Sequence, residues 1–302
     1  MKNNLVKNFL SVVELRTKII SVSTLVIALF YVSWRIQFPP LVPLLLMWTA
    51  TLAVDMGTTA FNNYFDYLRG TDHYRDVNEV DKVLIHSGVE PAFAFWSAFW
   101  CFAVAVVLGL ILAFSGNLWV IPVGALCMAV GFFYTGGPFP ISRTPFGELF
   151  AGGSLGFALF IIACGVWSVP FDSGVFFASL PSFFWIASIL AVNNTCDIEG
   201  DRAAGRRTLS ILLGVRGGET FVLFLIVAAQ IAGLYAGFTG FLPRSVAFTL
   251  LAGSFPIALT SYVMHRNGYS HATKSVNMMN ILKCFLMYTI SMGLGFLASA
   301  VF

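Results

Sequence analysis

Residues 91–114 run for 24 positions without one charged side chain. As a helix, such a run is long enough to cross the hydrocarbon of a bilayer, which takes about 20 apolar residues. Residues 146–169 and 276–302 are apolar over similar lengths. Only 10% of the chain is charged and 58% is hydrophobic, where a globular domain carries about 25% charged residues. Mean hydropathy is +0.84. The solvent for this chain is lipid, which restricts the backbone to helices or a closed barrel. Span length, and the lack of ten-residue alternating strands, exclude the barrel. The expected fold is all-α and polytopic.

Nine spans are expected: 19–38, 40–64, 91–114, 117–135, 146–169, 174–195, 218–239, 244–264 and 276–301. Turn residues separate them at Pro39-Pro40, Ser115-Gly116-Asn117, Gly136-Gly137-Pro138 and Pro170. Lys and Arg set the orientation. Fourteen of the 17 basic residues fall in the N-terminal segment and in the loops after spans 2, 4, 6 and 8. Arg35 and Arg244 lie on the other side, and Lys283 falls inside span 9. The N-terminus is therefore expected in the cytoplasm of a bacterial cell membrane and the C-terminus outside. The net charge of +3 adds little, and no nucleic-acid partner is expected.

Five cysteines (101, 127, 164, 196, 284) lack ligand spacing and read mostly as small buried hydrophobes. No cleavable signal segment is evident in residues 1–18. They read either as a polar leader or as an interfacial helix with Leu5, Val6, Phe9, Val12 and Val13 toward lipid.

Within this apolar chain one polar pattern occurs twice. Asn62-Asn63-Tyr64-Phe65-Asp66 and Asn193-Asn194-Thr195-Cys196-Asp197 stand 131 positions apart. Each closes an apolar run, and each is followed by another acid, Asp72 or Asp201. Carboxylates are costly beside hydrocarbon and mark function there. Asp55, Asn62 and Asp66 share one helix face, as do Asn193, Asp197 and Asp201. Hard oxygen donors in small number suit magnesium, which shares its shell with water and substrate phosphates. One such motif would be as well explained by helix caps or ion pairs with Arg; two at matching places point to half-sites on one cavity. Arg202, Arg206 and Arg207 follow the second motif, and Arg16 and Lys18 precede span 1. Metal plus Arg and Lys is the general means of holding a diphosphate and stabilising its departure, although each cation would equally serve as a membrane anchor. Tyr134 opens the loop Tyr134-Thr135-Gly136-Gly137-Pro138 on the same side, as a site hydroxyl or an interfacial anchor. Asp172 and Arg244 show no constellation, and some of the 31 Phe residues could line an apolar channel.

Residues 62–72, 134–138 and 193–209 together resemble the UbiA superfamily of intramembrane aromatic prenyltransferases. They look most like its 1,4-dihydroxy-2-naphthoate polyprenyltransferases of menaquinone synthesis. The resemblance implies nine helices around a central cavity with a lateral opening to lipid, in a single domain 1–302 of two pseudo-repeated halves, about 1–145 and 146–302. It implies two Mg2+ ions, with Mn2+ as a substitute, one held by Asn62, Asp66 and Asp72 and the other by Asn193, Asp197 and Asp201. Asp66, Asp197 and Asp201 would be catalytic. Arg16, Lys18, Asn62, Asp72, Tyr134, Asn193, Arg206 and Arg207 would contact substrate. The partners implied are a polyprenyl diphosphate, an aromatic acceptor and membrane lipid. Position 63 is Asn where many relatives have Asp, Pro138 stands where some branches carry Lys, and residues 73–82 depart from the naphthoate pattern. A different acceptor (a phenol, a chlorin, a haem or a glycerol phosphate) and a carrier that binds without cleaving remain the rival readings.

Overall fold

The computed structural model describes residues 5–37, 39–70, 83–86 and 88–301. Asp72, the loop 73–82 and the side chain of Arg16 lie outside the described residues.

The apolar runs fold as helices because lipid offers their backbone no other hydrogen-bond partner. They are α1 (Leu5–Val12), α2 (Ile19–Ile36), α3 (Leu41–Leu68), the short α4 (Val83–His86), α5 (Pro91–Ser115), α6 (Val120–Phe133), α7 (Gly147–Val166), α8 (Ser173–Cys196), the short α9 (Ile198–Ala203), α10 (Leu209–Phe238), α11 (Arg244–Asn267) and α12 (Lys274–Val301). No strand occurs among the described residues. Helix ends follow local chemistry. Pro91 occupies the first turn of α5. Asp172 caps α8 by accepting from Val175 N at 2.9 Å. Gly214, at φ 70°, breaks the start of α10 from its long remainder, a conformation that favours glycine.

Eight helices are long and apolar enough to span a bilayer. The ninth expected span, 117–135, is α6, only 14 residues long. It still runs the length of the bundle. A Cβ at Gly165, near the end of α7, would lie 2.4 Å from the Trp119 ring at the start of α6. At the other end, Thr135 Oγ1 donates to Asn62 Oδ1 at 2.8 Å, and a Cβ at Gly147, which opens α7, would lie 3.3 Å from the Tyr134 hydroxyl. Thus α6 lies antiparallel to α7 and reaches both of its ends. Turn bonds Val120 N to Asn117 O and Ile121 N to Leu118 O lengthen it at its start.

The principal core gathers buried residues of α2, α7, α8, α10, α11 and α12 around Trp185, Tyr31, Phe160 and Tyr288. A smaller core holds Val12, Val13, Ala60, Phe61, Ala94 and Ala98. An interfacial helix would turn Val12 and Val13 toward lipid, and the structure corrects that expectation: both are fully buried. Of the apolar residues of α1 only Leu5, Val6 and Leu10 are exposed. The outer surface carries Phe114, Phe248, Phe255 and many Leu and Val, a surface suited to acyl chains and not to water.

Candidate active site

The motif helices α3 and α8 both end in their Asn-Asn-x-x-Asp sequence, and both ends stand at one pole of the bundle. The proof is Arg206. This buried guanidinium lies 3.1 Å from both carboxylate oxygens of Asp66 and 3.4 Å from Asp201 Oδ1. One cation therefore spans the two halves of the chain. Arg206 reaches that place because the chain turns back at Gly205, at φ 74°, where its own N–H donates to Asp201 O at 2.9 Å. Arg207 and Arg202 are exposed, and Arg207 is absent from the lining of the cavity.

Asp197 carries its own cations. Lys274 Nζ sits 2.7 Å from Asp197 Oδ2, and His271 Nδ1 sits 3.3 Å from Oδ1. Both come from the start of α12 and the turn before it, 70 residues and more beyond the motif. Nothing in motif spacing flags them; in the sequence Lys274 is only an orienting charge.

Below these acids lies a cavity of about 1230 Å³. Its polar end includes Asn62, Asn63, Asp66, Tyr134, Asn193, Asn194, Arg206, His271 and Lys274. Its remainder is mainly aliphatic, with Met47, Val54, Leu110, Leu155, Ile189 and Met278, interrupted by Thr51, Asp55 and Thr58. Tyr134 is the one Phe, Tyr or Trp among the described lining residues. The Phe residues stay in the cores, at the lipid face, or around a separate crevice of about 470 Å³ between α5 and α6.

Asp55 lines the cavity two turns below Asn62. It is held by Lys18 Nζ at 2.7 Å and by Ser21 Oγ at 2.5 Å. Lys18 also donates to Thr59 Oγ1 at 2.6 Å and is itself buried. A contact between Lys18 and diphosphate would first have to break this pair. Lys283 is exposed on the outer face of α12.

Among the described residues, no group of three or more His, Cys, Asp or Glu forms a metal cage by itself. Magnesium does not require one: it takes one or two carboxylates and completes its shell with water and substrate phosphate. Two carboxylates from different halves already converge on one positive charge at Arg206. Asn62, Asp66 and Asn193 line the cavity as hard oxygen donors of the kind such an ion takes, whereas Asp197 and Asp201 are buried beside Lys274, His271 and Arg206 and are absent from its lining.

The UbiA prenyltransferase family model matches residues 21–284. The chain belongs to the UbiA prenyltransferase family. It is a membrane-embedded prenyltransferase. Its relatives include the 1,4-dihydroxy-2-naphthoate octaprenyltransferase of Bacillus subtilis (strain 168), 30% identical over 275 residues that cover 89% of this chain and 85% of that one. The enzyme of the same name from Mycobacterium tuberculosis is 30% identical over 205 residues, 64% of this chain and 70% of that one. The fold is that of other UbiA members. A homologue from Aeropyrum pernix K1 superimposes with a TM-score of 0.68 at 19% identity, covering 94% of this chain and 98% of that one. One from Archaeoglobus fulgidus, solved with DMAPP and Mg2+, gives 0.66 at 12% identity, covering 94% and 98%. In this UbiA member the side chains that sequence reasoning missed are Glu14, Thr135, Glu148, His271 and Lys274, each supplied by a segment remote from the motif it touches.

Proposed function

We propose that this chain transfers an isoprenyl group from an allylic polyprenyl diphosphate to an aromatic acceptor, 1,4-dihydroxy-2-naphthoate, in menaquinone synthesis. The observation that carries the reading is Arg206 joining Asp66 and Asp201 over a large, mostly apolar cavity. That arrangement suits one ligand class, a lipid with a polyanionic head. The names of the Bacillus and Mycobacterium relatives support the acceptor. The A. fulgidus structures, with DMAPP or GPP and Mg2+, support the donor and the metal.

On this reading Asn62, Asp66 and Asp72 hold one ion and Asn193, Asp197 and Asp201 the other, with Mn2+ able to replace Mg2+. The ions, when bound, neutralise charge that grows on the leaving diphosphate. Arg206 and Lys274 stand at the same pole and add positive charge there; Arg16, outside the described side chains, is proposed to join them. The allylic C–O bond breaks with its electron pair leaving on diphosphate. Aliphatic walls exclude water from the allylic cation, and the Tyr134 ring offers a π face. A ring carbon of the acceptor attacks, and with a dihydroxynaphthoate the carboxyl leaves as carbon dioxide. The active-site pole faces the cytoplasm.

The test is transfer by purified protein in lipid nanodiscs, with geranylgeranyl diphosphate and a panel of acceptors. Dihydroxynaphthoate should be prenylated with release of diphosphate, and excess EDTA should abolish both. Undiminished transfer in EDTA would sink the metal assignment. Prenylation of a different acceptor alone would sink the naphthoate assignment. Binding without diphosphate release would make the chain a carrier.

A further inference from the structure

Each copy of the duplicated motif has two asparagines, and the second of each makes the same bond. Asn63 Nδ2 donates to Glu14 Oε1 at 3.1 Å. Asn194 Nδ2 donates to Glu148 Oε1 at 2.9 Å. Each glutamate stands at the approach to a long helix of its own half: Glu14 shortly before α2, Glu148 in the first turn of α7. Their separations along the chain are 49 and 46 residues. Donor atom and acceptor atom match, the places in the two halves are similar, and the spacings differ by about three residues. Both asparagines are buried, at 8% and 5% exposure.

A carboxylate accepts hydrogen bonds and an amide nitrogen donates them. Each glutamate thus dictates which way its asparagine faces. In the second half the consequence passes on: Asn194 Oδ1 faces Asn193 Nδ2, 3.5 Å away. That leaves the Asn193 oxygen, the only atom of its amide able to bind a hard cation, turned from its neighbour. In the first half Thr135 Oγ1 fixes the Asn62 oxygen at 2.8 Å. Asn63 also donates to Val12 O at 2.9 Å. These two bonds flank Glu14, whose backbone is left-handed at φ 49°, ψ 64°, a conformation that a non-glycine residue keeps only when its surroundings hold it there.

We propose that Asn63–Glu14 and Asn194–Glu148 are equivalent clamps, one in each half. They orient the metal-binding ends of α3 and α8 and tie each to the start of a helix in the same half. All four are positioning residues. The proposal rests on the prenyl-transfer reading only for the identity of what the oriented oxygens bind.

Reversal of polarity tests it. Asn63→Asp sets a carboxylate against Glu14, and Glu14→Gln then restores a donor–acceptor pair running the other way. Asn194→Asp and Glu148→Gln do the same in the second half. Two quantities are read on purified protein: the melting temperature without metal, and Mn2+ binding with inorganic diphosphate by electron paramagnetic resonance. Each Asp variant should melt lower and bind Mn2+ about 10- to 100-fold more weakly, the range seen when partners of metal ligands are changed. The same-half double variants should return toward wild type, and the crossed pairs (Asn63→Asp with Glu148→Gln, Asn194→Asp with Glu14→Gln) should not. Equal rescue by crossed pairs overturns the clamp in favour of simple charge counting. Undiminished or tighter Mn2+ binding by Asn63→Asp overturns it in favour of a place for residue 63 in the metal shell. If wild type binds no Mn2+, the metal assignment fails while the pattern of melting temperatures still decides the clamp. If Asn63→Asp alone does not accumulate, the clamp requires that the same-half double variant accumulate and the crossed one not; equal accumulation of both overturns it.

Discussion

Asp66 and Asp197 occupy the same motif position and are held differently. Asp66 faces Arg206 in a bidentate pair, whereas Asp197 meets Lys274 and His271. Removing Asp66 with Ala would also strip the buried Arg206 of a partner, which is destabilising in its own right, while removing Asp197 would release the half-buried Lys274 and the exposed His271. Asn is the cleaner substitution, since it keeps the shape and one acceptor. Asp66→Asn and Asp197→Asn should each lower the rate of prenyl transfer at least tenfold, a loss of about 1.4 kcal/mol or more in barrier terms, with melting close to wild type. A smaller loss would show that the residue is not an essential ligand. At the opposite pole, Asp172 has no partner evident in the sequence, and the structure corrects that: it caps α8 and pairs with Arg35 Nη2 at 2.9 Å. Burial raises its pKa, but the bonds from Arg35 and Val175 N–H outweigh it and hold the carboxyl below its ordinary value. A depressed carboxyl contributes stability that is present above its unfolded pKa of about 3.9 and lost as pH falls through the folded value. The melting temperature should therefore fall more steeply below pH 4 in wild type than in Asp172→Asn, with transfer at neutral pH little changed. The motif acids were legible because helical periodicity puts them on one face. Arg206 was legible as a cation after the second motif, but not its pairing with Asp66; Lys274 and His271 were not, because they meet Asp197 only after the helices pack.

Glycine placement decides how closely the helices pack. Within α7, residues Gly152–Ala158 form a π-helical turn, a local widening that recurs at functional sites. Gly152 and Gly156 put its backbone directly on α8. A Cβ at Gly156 would lie 2.6 Å from Phe183 N and Cα, and one at Gly152 would lie 2.6 Å from Phe183 O. Backbone atoms cannot swing aside as a side-chain tip can. Gly153, between them, has no atom within 4 Å of such a Cβ. Gly156→Val should force α7 from α8 and sharply reduce the folded yield, whereas Gly153→Ala should be neutral or slightly stabilising, since Ala is better than Gly in a helix by about 0.8–1.0 kcal/mol. Size-exclusion profiles and thermal melts in detergent compare them directly, and equal melts would show that the contact is not what holds α7 on α8. In the sequence this stretch is simply apolar; hydropathy carries no record of which face a glycine turns to a neighbour.

Across the molecule, the apolar runs and the basic loops made the helix count legible, and α6 is where length alone misleads. Its 14 residues give about 21 Å of helix at 1.5 Å per residue, against hydrocarbon about 30 Å thick. Its contacts with both ends of α7 nonetheless suit a crossing, which with the eight long helices would make nine among the described residues. The orientation we propose rests on where the cations sit: loops rich in Lys and Arg stay in the cytoplasm, which would put the Arg206 pole inside and the Asp172 cap outside. The protein suits a chemical test of this arrangement. Cys164, Cys196 and Cys284 are buried and Cys101 and Cys127 only partly exposed, so background labelling by a charged maleimide should be low. Single cysteines placed at Arg207, at Asp172 and after the C-terminal residue should then divide by side. In intact cells the impermeant reagent should label the Asp172 and C-terminal sites at once and the Arg207 site only after the membrane is opened. All three sites follow α6, so loss of α6 as a crossing would swap their sides together; a fourth cysteine at the exposed Glu90, before α6, should stay protected in intact cells. Labelling of Arg207 but not Asp172 would remove α6 as a crossing if Glu90 stays protected; with Glu90 labelled too, it would invert the bundle and place the proposed diphosphate-binding pole outside the cell, where a cytoplasmic isoprenyl donor could not reach it.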